Sequence, residues 1–404
     1  MAPNGTGLSK QGEEPPAPVD LDATRSELTS VLLTELVKPE DVHHIAGPWT
    51  ELAEKALERN PFFEPWALIP ALEQYADKHV RLACVWKGDD RSELMGIAPV
   101  RAMRGYARLP VGFWGTWRHP HCFYAAPLLH GDNAAAVAAS MLDLLCDGEE
   151  ARSFLRLFQL GVEGPVMAAF RHAARLKRRD YYCAGSYERA ILHAGQSPSK
   201  YIEQNIRKKK QKEFNRLRKR LSEQGPITFH QLTDKNSIQE WGKLFLDMEH
   251  RGWRGDEKSS LASSRADSNW FESVLTGAYT AGQLSFMRLD CGNQPIAMLV
   301  SFGAADKFSI KICHDPAFSR YSPGVMIELE ATKHLLNDHA FTFMDSCAAP
   351  DHAMINSLWP QRRRITGLNV SGVHGKRILR LCKALEKARL QVRGGVNILR
   401  KDAQ

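Results

Sequence analysis

The chain has 404 residues, 43% hydrophobic and 25% charged, with 54 Lys and Arg against 46 Asp and Glu for a net charge of +8. That length exceeds one ordinary core and asks for two or three folded units of globular composition. It excludes a spanning helix, because apolar runs such as 134–139 and 296–300 fall far short of the ~18 residues a bilayer needs.

Residues 1–25, with Gly5, Gly7, Gly12, Pro15, Pro16 and Pro18, read as a disordered segment without the apolar stretch of a secretory signal. Eight cysteines stand singly with no Cys-x-x-Cys pair, which argues against a zinc ribbon or disulfide framework and predicts a reducing, cytoplasmic setting. Structure is expected from about Leu28. After Gly47-Pro48 a helix is expected over 49–59, with Trp49, Leu52 and Ala56 on one face. Residues 81–87 and 94–100, either side of Gly88-Asp89-Asp90-Arg91, predict a strand, a turn and a strand. A helix over 134–145, a strand over 154–160 and a helix over 166–177 follow.

A second series begins near Ser197 with a long helix over 198–221, stopped by Gly225-Pro226. Then come a strand over 227–232, helices over 237–250 and 268–281, and strands over 283–289, 295–302 and 308–313. A helix after Gly324 and a strand over 341–345 complete it. Both series run helices, a β-meander, a helix and further strands. The predicted fold class is therefore α+β: two tandem domains, 26–190 and 191–375, each a mixed, mostly antiparallel sheet flanked by helices, with a basic C-terminal helix and tail at 376–404.

The segment richest in chemical signals is 307–337. An apolar strand leads through His314, Asp315, Arg320 and Tyr321 into Ser322-Pro323-Gly324, where Ser322 suits an N-cap and Pro323 the first helical position. A strand, tight loop and helix start present unpaired N–H groups at the positive end of a helix dipole, the elements of an anion cradle. Upstream, Glu249 closes a helix before Gly252-Trp253-Arg254-Gly255, where paired glycines permit a pocket loop with Trp253 to cover a ligand and Arg254 to supply charge. Asp345 and Ser346 end the strand over 341–345 at a sheet edge, ahead of Asp351-His352. The cationic helix at 207–220 suits a polyanion or a solvated face. Aromatic runs at 60–66 and 114–124 suit interdomain packing or a groove for a sugar or peptide. No nucleophile elbow, Walker loop, dinucleotide fingerprint or metal-ligand spacing is present; His119 and His121 merely flank Pro120.

Tyr201 with the basic helix, Glu249 to Gly255, Pro295-Ile296-Ala297 and Asp315 to Gly324, in this order, resemble the GNAT-type acyltransferases of the CelD/BcsL group, tied to cellulose and exopolysaccharide synthesis and related to the Fem-type aminoacyltransferases. The resemblance spans roughly residues 30–370 and is most specific at Arg320-Tyr321-Ser322-Pro323-Gly324 with Asp315. It implies two GNAT-like domains, the second binding acetyl-CoA or another acyl-CoA through Arg320, Tyr321, Ser322, Pro323 and Gly324, with no metal. The expected activity is direct acyl transfer to an amine or hydroxyl of a glycan- or cell-envelope-related acceptor. Candidate bases are Glu249, Asp345 and His314, Tyr321 is the candidate acid, and Trp253, Arg254 and Asp315 are candidate substrate contacts. Two alternatives stay open: an aminoacyl-tRNA donor drawn by the cationic helix, and a non-catalytic scaffold in a polysaccharide-synthesis complex.

Overall fold

The computed structural model describes residues 32–106, 108–252 and 260–401, with side chains through residue 389. Apolar residues on both faces of a strand, as in Val80, Leu82, Cys84 and Val85, dictate a sheet covered on two sides. The first series runs β1 (Leu32–Val37), α1 (Ala46–Glu54), α2 (Pro65–Tyr75), β2 (Val80–Lys87), β3 (Glu93–Tyr106), β4 (Leu109–Thr116), β5 (Leu128–Leu129), α3 (Ala134–Asp147), β6 (Phe154–Gly161), α4 (Pro165–Leu176) and β7 (Tyr181–His193). After α5 (Pro198–Asn205) and α6 (Lys208–Ser222), the second repeats the order. It has β8 (Ile227–Gln231), α7 (Ile238–Arg251), α8 (Arg265–Thr280), β9 (Leu284–Cys291), β10 (Gln294–Phe302), β11 (Asp306–His314), α9 (Pro323–Asn337), β12 (Phe343–Asp345), α10 (Ala353–Asn356) and β13 (Gln361–Ser371), followed by α11 (Lys376–Lys401).

Strand order shows how the two series join. One sheet runs β1-β2-β3-β4-β6-β13-β7-β12-β11-β10-β9-β8, with β5 on β3. The order reads alike from both ends: β4 and β6 pair parallel in the first unit, β11 and β12 in the second. At the centre β7 and β13 have changed places and pair antiparallel from Tyr181↔Val370 to Ile191↔Gln361. Each unit is thus closed by the other's last strand. The architecture is α+β with two tandem units of mixed, mostly antiparallel sheet, as the element order predicted.

Aromatics seal the seam: Phe62 meets Phe308 edge-on at 5.6 Å, and Trp66 meets Phe302 at 5.3 Å. Strands β1, β4, β7 and β13 carry weaker signals than the meander and were not predicted. The helix expected over 198–221 is broken. Ile206 is extended and buried, which separates α5 from α6. The N-terminal segment 1–25 lies outside the described residues.

Candidate functional site

Strand β11 carries a bulge. Val300 pairs with Lys311 and Ser301 with Ser309, so Ile310 is the extra residue and the ladder is interrupted there. The parallel pairing with β12 stops at Phe308↔Asp345, and β11 runs on to His314 past the end of its neighbour. Beyond that point β11 runs on without its parallel partner.

The connection out of β11 differs from the expected tight loop. Pro316–Tyr321 forms a 3-10 helix capped by Asp315, whose carboxylate accepts from the Ala317 N–H at 3.0 Å and from Gln294 Nε2 at 3.2 Å. Arg251 stands 3.6 Å from the same carboxylate. Ser322 is not a side-chain cap: it is left-handed at φ 54°, ψ 54°, and its carbonyl accepts from both Val325 and Met326. Pro323 has no N–H, so the helix start offers fewer donors than an open first turn. Tyr321 is buried among Leu217, Met287 and Ile327, and the Arg320 guanidinium lies 4.8 Å over its ring. A Cβ on Gly324 would meet only Ile312 and His314 at 3.8 and 3.9 Å. His314 Nε2 is 3.2 Å from Ser319 Oγ, and burial, opposed by Asp315, lowers its pKa.

The fold therefore gathers His314, Asp315, Arg320, Ser322, Pro323 and Gly324 at one end of β11. Glu249 joins from α7: its carboxylate is 2.7 Å from Lys311 Nζ, next to the bulge, and accepts from the Leu261 N–H at 2.9 Å. Asp345 does not join. It is wholly buried at the seam between Arg189, at 2.6 Å, and Arg363, at 3.1 Å. A carboxylate so enclosed anchors strands and cannot reach an acceptor, so the base is to be sought elsewhere. Asp351 is exposed, while His352 Nδ1 accepts from the Ile355 N–H and starts α10. Trp253 and Arg254 lie outside the described residues.

Residues 208–352 match the acetyltransferase (GNAT) domain family. The match spans about a third of the chain, from α6 to the loop after β12. FemX shares the fold, with a TM-score of 0.50 at 10% identity over 88% of this chain and 100% of that one. A conserved protein of unknown function from Bacteroides thetaiotaomicron VPI-5482 matches at TM-score 0.48 and 13% identity over 84% of this chain and all of that one. The C-terminal domain of a putative lysylphosphatidylglycerol synthetase from Agrobacterium fabrum matches at TM-score 0.49 and 10% identity over 84% and 95%. No curated protein matches the chain.

Beside the bulge in this matched stretch sits a polar group that sequence reasoning passed over. His121, from the connection between β4 and β5, has Nε2 2.8 Å from Asp267 Oδ1 on α8, and the Tyr75 hydroxyl of α2 donates to the same oxygen at 2.7 Å. The indole of Trp270 stacks on the imidazole at 4.5 Å and 20°. Burial lowers the pKa of His121, with Lys311 adding to the lowering and Asp267 and Glu249 opposing it. Next to it His119 is buried, its pKa pushed down to about 3 by burial. His121 and Asp267 are 146 positions apart along the chain, so no spacing signals them. Only the density of His and aromatics in 114–124 was visible.

Among the described residues no group of three or more His, Cys, Asp or Glu is placed to hold a metal ion, and no helix is long and apolar enough to cross a membrane.

Proposed function

We propose that the chain is an acyltransferase that moves an acyl group directly from acetyl-CoA or another acyl-CoA to an amine or hydroxyl of a glycan- or cell-envelope-related acceptor. The observation that carries this reading is the bulge at Ile310 in a β11 that runs past β12 into α9, within the stretch that matches the GNAT family. A bulge frees backbone groups from the ladder, and an N–H freed there suits a thioester carbonyl whose oxygen gains charge as the acceptor attacks. The edge of β11 beyond the end of β12 suits the pantetheine arm. Arg320 and the positive end of α9 suit the CoA phosphates, with Gly324 leaving the approach open. In this reading residues 191–375 hold the donor, residues 26–190 supply the acceptor side, and the enzyme works in the cytoplasm beside a polysaccharide-synthesis complex of the CelD/BcsL kind.

Calorimetry tests the donor. Acetyl-CoA is expected to bind, and Arg320→Ala to weaken binding about tenfold, or ~1.4 kcal/mol. If acetyl-CoA, succinyl-CoA and CoA all fail to bind, the reading is wrong. A second reading, an aminoacyl-tRNA donor, draws on α6, whose Lys208, Lys209, Lys212, Lys219 and Arg220 are exposed. It requires tRNA binding that falls steeply with salt, and loss of that binding when these charges are removed.

A further inference from the structure

The acyl-transfer reading needs a group to take the proton of the acceptor, and of the three expected bases His314 stands at the last residue of β11 with Nε2 3.2 Å from Ser319 Oγ. Asp345 is sealed between two arginines, and Glu249 is turned to Lys311 and to the Leu261 N–H. We propose that His121 is the general base of the transfer and that Asp267 is its positioning residue, so that each unit contributes one half of the dyad. This rests on the acyl-transfer reading above and extends it to a residue outside the matched domain.

Three observations carry it. The first is the tautomer. A carboxylate only accepts, so the 2.8 Å contact puts the His121 proton on Nε2 and leaves the Nδ1 lone pair to take a proton. Among the described residues Nδ1 has no hydrogen-bond partner. The second is fixation. Trp270 covers one face of the ring, and Tyr75 donates to the same Asp267 oxygen that holds Nε2, so both the ring and its carboxylate are held in place. The third is incompleteness. His119 Nδ1 and Trp270 Nε1 are buried beside the dyad with no protein partner among the described residues. Buried polar atoms are normally satisfied, so a pair of orphans at one place marks a spot where a polar ligand or water belongs. The His121 side chain keeps 13% of its surface open and Lys311, next to the bulge, keeps 11%, so the spot is narrow and reachable.

The step balances without further reagents. The acceptor lone pair attacks the thioester carbonyl carbon while its proton passes to His121 Nδ1. The C–S bond then breaks with its electron pair on sulfur, and the imidazolium returns the proton to the thiolate, leaving acylated acceptor and CoA thiol. The groups facing the imidazole are Asp267, His119, Tyr75, Lys311 and Glu249. The Lys311 ammonium and burial favour the neutral, proton-accepting ring, and the carboxylates of Asp267 and Glu249 restrain that shift.

The experiment uses the full chain, acetyl-CoA, and ethanolamine as an acceptor carrying both an amine and a hydroxyl, and follows release of CoA thiol. His121→Ala and His121→Gln are expected to slow release on the order of 10²–10⁴-fold while acetyl-CoA affinity stays within about twofold. Imidazole added to solution should restore His121→Ala. Asp267→Asn should reduce the rate and move the acidic limb of the pH–rate profile to lower pH, because the carboxylate that holds the imidazole pKa up is gone. Release at the wild-type rate from both His121 variants overturns the proposal. So does a wild-type protein that binds acetyl-CoA but releases CoA no faster than buffer. Absence of acetyl-CoA binding to the wild type removes the donor reading itself, which keeps the two failures apart.

Discussion

The two units follow one element order but treat the connection after their fourth strand in opposite ways. In the first, β4 leads into a long connection, 117–133, that carries His119 and His121 across to α8 of the second unit before α3 begins. In the second, β11 leads through one 3-10 helix straight into α9. Both helices start from a left-handed residue, Asn133 at φ 60° and Ser322 at φ 54°. The helices differ inside as well. α3 buries Val137, Met141, Leu142 and Leu145, whereas α9 buries the carboxyl of Glu328. The lesson is that a duplicated topology need not duplicate a site. The unit with the short connection keeps a helix start at the end of its strand, and the unit with the long one lends side chains to its neighbour.

The sharpest way to break the comparison is at the seam both units share. Asp345→Asn leaves Arg189 and Arg363 buried with half their partners, and should cost about 3–5 kcal/mol in denaturant unfolding. A small loss would mean that the exchanged strands do not depend on this pair. Next comes the contrast between α3 and α9. Burial raises the Glu328 pKa from 4.5 to about 7. The unfolded chain loses this proton near pH 4.5 and the folded one holds it to about 7, so the contribution is full below pH 4.5 and is lost as pH rises to 7. The slope is at most about 1.4 kcal/mol per pH unit. Glu328→Gln should flatten this decline and be more stable than wild type at pH 8 but not at pH 4. Midpoints at both pH values check it, and an unchanged slope would place the shift elsewhere.

Smaller effects sharpen the comparison of the helix starts. Ser322→Gly should raise stability by about 1 kcal/mol and Asn133→Gly by less, because asparagine tolerates the left-handed region better than serine. Thermal midpoints of the two variants, measured together, decide the order. Gly324→Ala should change stability by no more than about 0.5 kcal/mol, since its Cβ meets only ordinary contacts. A loss of acetyl-CoA affinity in that variant would then report a ligand at the backbone, and an unchanged affinity would place the donor elsewhere.

Strands of the β-meander were legible because apolar residues repeat within short windows bounded by Gly, Asp and Asn turns, and local propensity there agrees with burial. Strand β13 was not. Arg362, Arg363 and Arg364 interrupt the apolar pattern of a strand, yet the backbone pairs with β7, and Arg363 is accommodated by Glu58, Asp345 and the face of Tyr124. Ser322 was misread for a related reason: its residue type suits a cap, but the preceding 3-10 helix turns the backbone left-handed and points its carbonyl, not its hydroxyl, at the first turn.

By itself the sequence determined the α+β class, the doubled order of elements and the strand–helix junction at 307–330, because each depends on periodicity and turn chemistry within a few residues. Tertiary structure alone decided that the last strands are exchanged, that Asp345 is an anchor, and that His121 meets Asp267. Those outcomes depend on the pairing of charges and backbone groups far apart in sequence, where the cost of burying an unpaired polar group selects the partner and no local pattern records the choice.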